Sequence, residues 1–96
     1  MKDESWDDLR LFLHVARGGG LTAAAQTTGI SAPTIGRRML ALERSLGRTL
    51  FVRHQTGYRL APDGEALFDR VKDMQRAARA IEEWQEEVLE LPIISI

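Results

Sequence analysis

The stretch S-A-P-T-I-G-R-R-M-L-A-L-E-R-S-L-G at 31–47 sets the frame for the rest of the chain. Both of its ends carry helix signals. Ser31 is a suitable N-cap, because its hydroxyl can accept from a backbone N–H of the first turn. Pro33 falls in that turn, where a missing N–H costs nothing, and Gly47 is a stop signal. Between them Ile35, Met39, Leu42 and Leu46 recur at steps of four, three and four, which makes one buried stripe. At about 100° per residue, Arg37 lies roughly 200° from Ile35 and faces away from that stripe. Pro33 and Arg44 share its side, with Gly36 and Arg38 on the flanks. Small residues let a helix approach another surface closely, and arginine offers a planar donor fork for base edges or phosphates. An ordinary solvated face would show the same arginines.

The composition narrows the classes this helix can serve. A chain of 96 residues, 44% of them hydrophobic, is one small domain with a modest core, and an oligomer contact would help it. There is no cysteine, so neither a disulfide framework nor a thiolate metal site. Two isolated histidines, no Gly-rich phosphate loop and no metal-ligand cluster argue against an enzyme, and no cofactor or metal is expected in residues 1–96. No apolar run approaches a membrane span and the N-terminus lacks a signal-peptide core, so a cytoplasmic protein without a membrane partner is expected.

The formal net charge of −1 conceals a strong asymmetry. Residues 31–60 carry Arg37, Arg38, Arg44, Arg48, Arg53 and Arg59 against Glu43 alone, whereas residues 61–96 carry nine acids against four bases. Screening limits interactions beyond about 8 Å at physiological salt, so the local field counts for more than the total.

Along the chain, a first helix is expected over 6–17, capped by Ser5, with Asp7 and Asp8 favourably placed in its first turn. Trp6, Leu9, Phe12, Leu13 and Ala16 form its apolar face, His14 reads as a structural side chain, and Gly18-Gly19-Gly20 ends it. A short helix over 22–28 follows, with Thr22 as its N-cap. The turn Gly29-Ile30 then leads into the helix at 31–47. This is a helix-turn-helix order, with Ala25 at the helix crossing, Gly29 at a φ > 0 position and Ile35 as core anchor. An ordinary αα-hairpin could carry the same three residues.

Short apolar runs at 50–53 and 58–60, separated by His54-Gln55-Thr56-Gly57, predict a hairpin. As a wing it would bring Arg53, Arg59, Gln55 and Thr56 to a phosphate or the minor groove; otherwise it covers a core edge. A last helix runs from Pro62 or Asp63 to about residue 90. Its seam of Leu67, Val71, Met74, Ala78, Ile81, Gln85 and Val88 repeats at heptad spacing, widened by Phe68, Ala77 and Trp84. A two-fold dimer through this helix is expected, although its inner end (Leu67, Phe68, Val71) could pack within one chain. The apolar tail at 91–96 reads as a hinge.

With these pieces placed, the chain resembles the N-terminal DNA-binding domain of LysR-type bacterial transcriptional regulators. The resemblance is carried by L-R-L-F-L-H-V-A-R-G-G-G-L-T-A-A-A (9–25), G-I-S-A-P-T-I-G-R-R-M-L-A-L-E-R-S-L-G (29–47), L-F-V-R (50–53) and L-A-P-D-G-E-A-L (60–67). It implies a mainly α fold: a winged helix-turn-helix of three helices and a two-stranded wing over 1–61, a dimerising linker helix over 62–90, and at 91–96 a hinge to an effector domain that the chain does not include. It also implies a small-molecule effector for the full-length protein, a homodimer on an inverted-repeat operator in double-stranded DNA, and a tetramer as a further level of assembly. Carried over, Ala32, Pro33, Gly36 and Arg37 face the bases, with Ser31, Thr34 and Arg38 beside them. Thr22 meets the phosphate backbone, Arg53 is the wing arginine, and Gln55 lies at the wing tip. Leu67, Val71, Met74, Ala78, Ile81, Trp84 and Val88 form the dimer seam. The chain departs from the family at Ala32, where glutamine is usual, and at Gly36, where serine is usual. Both changes remove hydrogen-bonding groups, and Gly36 costs the helix roughly 1 kcal/mol relative to alanine. Val52 stands in place of a usual acid. These departures leave open a protein-interaction or dimerisation module that has kept the fold without base readout.

Overall fold

The computed structural model describes residues 5–90, with side chains described as far as Glu87. The elements are α1 Trp6–Gly18, α2 Leu21–Thr28, α3 Ala32–Leu46, β1 Phe51–His54, β2 Gly57–Leu60 and α4 Pro62–Glu90. This is the expected winged helix-turn-helix followed by a long helix.

α1 is the hub. The Ser5 hydroxyl caps it by accepting from the Asp8 amide at 3.2 Å. Leu9, Phe12 and Leu13 are buried as the periodicity predicts, but so are Leu11 and Val15. The helix is buried on more than one side because α2, α3, α4 and β2 all pack on it.

α2 begins one residue earlier than expected. Its N-cap is Gly20, and no side chain caps it. Thr22 therefore sits exposed inside the first turn rather than at the cap. The reason is Leu21, which packs against the core and draws the helix start back to itself. The turn into α3 is held locally. Thr28 Oγ1 donates to the Ala24 carbonyl at 2.7 Å and accepts from the Ile30 amide at 3.2 Å. Gly29 takes φ 76°, a left-handed conformation that its missing Cβ makes inexpensive. Ala24 is fully buried, and Ala25 is partly buried against the same core.

α3 buries Ile35, Met39 and Leu42 and half-buries Leu46. Ser31 has N-cap backbone angles, but its hydroxyl makes no cap hydrogen bond. After Gly47 the chain enters the antiparallel hairpin, with Phe51 opposite Leu60 and His54 opposite Gly57. Both strands lie about one residue away from the predicted runs. Leu50 precedes the ladder and is fully buried, and its carbonyl accepts from the Ala61 amide at 2.9 Å. The hairpin root also belongs to the core, since the Phe51 ring packs against Phe12 at 5.2 Å and Tyr58 at 5.3 Å. The Tyr58 amide donates to the Gly19 carbonyl at 2.9 Å, which ties the wing to the α1–α2 turn.

α4 starts under β1. Gly64 is buried against the Leu50 carbonyl, which a Cβ at this position would strike. The predicted dimer seam then divides. Val71 is fully buried in the chain's own core, and Leu67 is partly buried against it, so these two serve the monomer's interior and Val71 cannot reach a partner. The inner end fits into the body because α1 and β2 reach it; the outer end passes both. Met74, Ile81 and Trp84 are 42%, 63% and 62% exposed. Ala78 is half-buried, and the side chain of Val88 lies outside the described residues, as does the hinge at 91–96. α4, about 44 Å long at 1.5 Å per residue, accounts for a molecule measuring 64 × 27 × 20 Å. No described helix is long and apolar enough to cross a membrane.

Candidate nucleic-acid interface

The outer face of α3 follows from its inner one. With Ile35, Met39 and Leu42 anchored, Pro33, Arg37, Leu40 and Arg44 are all exposed on the opposite side. Hydroxyls order the N-terminal half of that face. Ser31 Oγ donates to Thr34 Oγ1 at 2.9 Å, and Arg37 Nη2 donates to the same oxygen at 3.2 Å. Thr34 Oγ1 thus accepts twice and keeps its own O–H to give. The Arg37 guanidinium lies along the helix with four of its five N–H groups uncommitted. Ala32 and Thr34 are half-buried beside it.

Gly36 lies on a flank of α3, as the helix spacing predicts, and is half-buried. A Cβ there would meet Leu21 Cδ1 at 3.2 Å, so Gly36 lies on the side where α2 crosses α3 rather than on the outermost line. Arg38 on the other flank is committed, since its guanidinium grips the Asp8 carboxylate of α1 at 2.6 Å.

The six arginines of residues 31–60 accordingly divide in two. Arg38, Arg48 and Arg53 pair with Asp8, Asp63 and Glu43 at 2.6, 3.1 and 2.8 Å. Arg37, Arg44 and Arg59 have no carboxylate partner among the described residues. The basic field is therefore carried by two arginines on α3 and one on the wing. Sequence reasoning put Arg44 on the outward face of α3 without assigning it a contact, and put Arg59 on the wing within reach of a phosphate or the minor groove. It missed Leu40, 47% exposed, although the step of three from Arg37 puts it off the buried stripe.

Arg53, the predicted wing contact, is the most constrained of the six. Glu43 Oε1 accepts from Arg53 Nη2 at 2.8 Å, while Glu43 Oε2 accepts from the Leu50 and Phe51 amides at 2.8 and 3.2 Å. The Arg53 guanidinium also lies 5.0 Å from the centre of the Tyr58 ring. Partial burial pushes the Glu43 carboxyl up. The Arg53 hydrogen bond, the two amides and the Arg53 charge outweigh that and hold it below its ordinary value. Burial likewise pulls Arg53 down, but Glu43 and the Tyr58 oxygen bring it out above its ordinary value. This cluster fixes the wing root to α3.

Two concavities gather the remaining candidates. One, about 380 Å³, lies between α3 and β1 and includes Leu40, Arg44 and Arg53. The other, about 440 Å³, brings Thr22 and Gln26 of α2 together with Gln55 and Thr56 of the wing tip. Arg59 Nη2 lies 3.1 Å from His54 Nε2, so Arg59 on the wing has an imidazole nitrogen beside it rather than an acid. His14, 3.3 Å from Thr27 Oγ1, is a surface side chain. No group of three or more His, Cys, Asp or Glu poised for a metal occurs among the described residues.

A family model described as bacterial regulatory helix-turn-helix protein, lysR family, matches residues 6–65. The chain is similar to the uncharacterized HTH-type transcriptional regulator YusT of Bacillus subtilis (strain 168), 44% identical over 62 residues, which cover 65% of this chain and 21% of that protein. It is also similar to the HTH-type transcriptional regulator TfdT of Cupriavidus pinatubonensis (strain JMP 134 / LMG 1197), 37% identical over 75 residues covering 74% of this chain and 33% of that one. It thus spans between 21% and 33% of the length of these curated relatives. Among solved structures, the complex of the CbnR DNA-binding domain with DNA superposes with a TM-score of 0.81 at 29% identity, covering 91% of this chain and 100% of that one. The matched family is one of regulators and not of enzymes. The family match runs from the start of α1 to the first turn of α4, through every element of the geometry above, and the chain belongs to the lysR family of regulatory helix-turn-helix proteins.

Proposed function

We propose that this chain is the DNA-binding part of a LysR-type transcriptional regulator that reads double-stranded DNA sequence-specifically. The observation that carries the reading is the outward line Pro33–Arg37–Leu40–Arg44 on a rigidly anchored helix, with Arg37 exposed and free of any carboxylate among the described residues. α3 enters the major groove with its Ser31–Thr34–Arg37 hydroxyl-guanidinium chain at the base edges. Arg37 supplies the directional contact, and Ala32 and Pro33 allow close approach to thymine methyls. Gly36 acts indirectly by letting α3 sit tightly on Leu21. Thr22 and Gln55, which share one concavity, take the flanking backbone, with Arg59 on the wing beside them. Arg38 and Arg53 act as positioning residues through Asp8 and Glu43, and a phosphate reached by either would be shared with that carboxylate.

Two copies paired through the outer end of α4 would present two such helices to the half-sites of an inverted repeat. The exposed Met74, Ile81 and Trp84 support that pairing, because large apolar groups in line on one helix are costly to leave in water. In the longer protein, a small-molecule effector would act through the remainder of the chain, with a tetramer as the higher assembly and the cytoplasm as its site. The competing reading, a dimerisation or protein-interaction module, is favoured by the exposure of Leu40 and Val52.

Fluorescence anisotropy with a duplex selected from a random pool and with an unselected duplex, at two salt concentrations, tests the proposal. Tight binding to the selected duplex, with Arg37→Ala abolishing the preference, is the expected result. Equal affinity for both duplexes would support the interaction-module reading.

A further inference from the structure

We propose that Thr34 is a positioning residue for base reading: its hydroxyl tethers the Arg37 guanidinium over the first turn of α3, in the orientation that meets guanine in the major groove. This rests on the DNA reading above and assigns its selectivity to a pair of side chains rather than to Arg37 alone.

An exposed arginine is a loose reader, because a base contact must freeze its long side chain. Arg37 is exposed, yet its Nη2 donates to Thr34 Oγ1 at 3.2 Å. The tether is itself stiff. Threonine is β-branched, which leaves few χ1 rotamers in a helix, and Thr34 is half-buried. Ser31 Oγ donates to the same oxygen at 2.9 Å. Ser31 stands at the N-cap, where a serine hydroxyl ordinarily accepts from a first-turn amide, but it makes no such bond. Its hydroxyl goes to Thr34 instead. Thr27 and Thr28 show the common alternative for a helical threonine, each donating to a carbonyl one turn back in α2. Thr34 is the third residue of α3, so no earlier turn of that helix lies beneath its hydroxyl.

The direction of the tether matters. Helical side chains lean toward the N-terminus. The bond to Thr34 fixes Arg37 in that lean, over the end of α3 that a helix-turn-helix sets against base edges. The guanidinium N–H groups form two forks and a single donor, so one bond to Thr34 leaves at least one fork whole for O6 and N7 of guanine. Among the arginines of α3 the arrangement is particular to Arg37. Three residues before Arg38 and Arg44 stand Ile35 and Ala41, whose side chains have no oxygen. Arg44 is exposed on the same face without a tether of this kind, which suits it to phosphate charge and not to one base. A neutral hydroxyl is also the right partner. A carboxylate would neutralise the arginine, as Asp8 does for Arg38, whereas threonine leaves its full charge toward the DNA.

Anisotropy with the selected duplex, with duplexes changed one base pair at a time, and with the unselected duplex tests the tether. Thr34→Val keeps the shape and removes the oxygen. It should lower the preference at the base pair read by Arg37 roughly tenfold. Affinity for the unselected duplex, its salt slope and the helix content by circular dichroism should not change. Thr34→Ser should restore the preference, because it returns the oxygen. In an Arg37→Ala background, Thr34→Val should have no further effect at that base pair. If Thr34→Val keeps the full preference while Arg37→Ala loses it, the tether is wrong and the base reading stands. The tether is equally wrong if Thr34→Ser fails to restore the preference, which assigns Thr34 to packing. It is wrong too if Thr34→Val costs as much without Arg37 as with it, which assigns Thr34 a base contact of its own. If Arg37→Ala keeps the preference, the tether and the base reading both fall.

Discussion

Arg37 and Arg53 are the same residue type in the same basic segment, and the structure gives them opposite situations. Arg37 leans on a neutral hydroxyl in solvent, whereas Arg53 is locked to Glu43 and lies over Tyr58. On this basis Arg37→Ala should cost about 1–3 kcal/mol of discrimination between a selected duplex and a single-base variant, with the fold intact by circular dichroism. Arg44→Ala and Arg59→Ala should instead weaken all duplexes alike and reduce the slope of log affinity against log salt by about one each. Arg53→Ala should act mainly on stability, by roughly 1–3 kcal/mol in urea unfolding, because it leaves a half-buried carboxylate without its cation. The pH dependence follows from Glu43. Its carboxyl is held below the ordinary 4.5 in the folded chain. The contribution of the ionised form is thus complete above that ordinary value and is lost as pH falls through the lowered one. The difference in thermal midpoint between the native chain and Glu43→Gln should be constant near neutrality and shrink on acidification below 4.5. A difference independent of pH down to 3 would mean that the Glu43 charge does not hold the wing root.

The elements are coupled through a few backbone contacts, which makes certain small residues decisive. α4 leaves the body at an angle set by Gly64 beneath the Leu50 carbonyl, and the Leu50 amide is held in turn by Glu43 of α3. One point thus joins α3, the wing root and the long helix. Gly64→Ala gains helix propensity of about 1 kcal/mol but drives a methyl into a carbonyl oxygen that cannot move without breaking its bond from Ala61. The net result should be destabilisation by about 2 kcal/mol or more, read from chemical denaturation. Gly36→Ala is a contrasting case on α3. There the obstacle is the end of the Leu21 side chain at 3.2 Å, which can give way, so the change should lie within about 1 kcal/mol of neutral.

At the level of the entire molecule, a small body carries a helix that extends well past it. The body buries Leu9, Phe12, Ile35, Met39, Leu50 and Val71 completely, which is a modest interior for a chain of 96 residues. If the outer part of α4 is covered by a second copy, folding and association are linked. The thermal midpoint should then rise with protein concentration, and Trp84→Ala should flatten that rise. A midpoint unchanged over a hundredfold concentration range would place the stability in the single chain.

Local chemistry made most of the architecture legible. Ser5 and Gly47 mark helix ends wherever they occur, the steps of four and three at Ile35, Met39 and Leu42 select one face, and Gly29 marks the turn between two helices. These signals act within a few residues, so reading them needs no fold. Thr22 and Ser31 show the limit of such reading, since a hydroxyl at a helix start caps only if the backbone begins there and no better partner is near. Leu21 moved the first start, and Thr34 took the second hydroxyl. What the segment could not reveal was its own neutralisation. Six arginines against one acid look like a strongly basic patch, yet Asp8 arrives from α1 and Asp63 from α4 to pair with Arg38 and Arg48. The heptad repeat likewise marked a continuous apolar seam and not the place where the monomer's interior ends, between Val71 and Met74. Charge pairing and burial depend on which distant segments meet, and that is a property of packing, which sequence spacing does not encode.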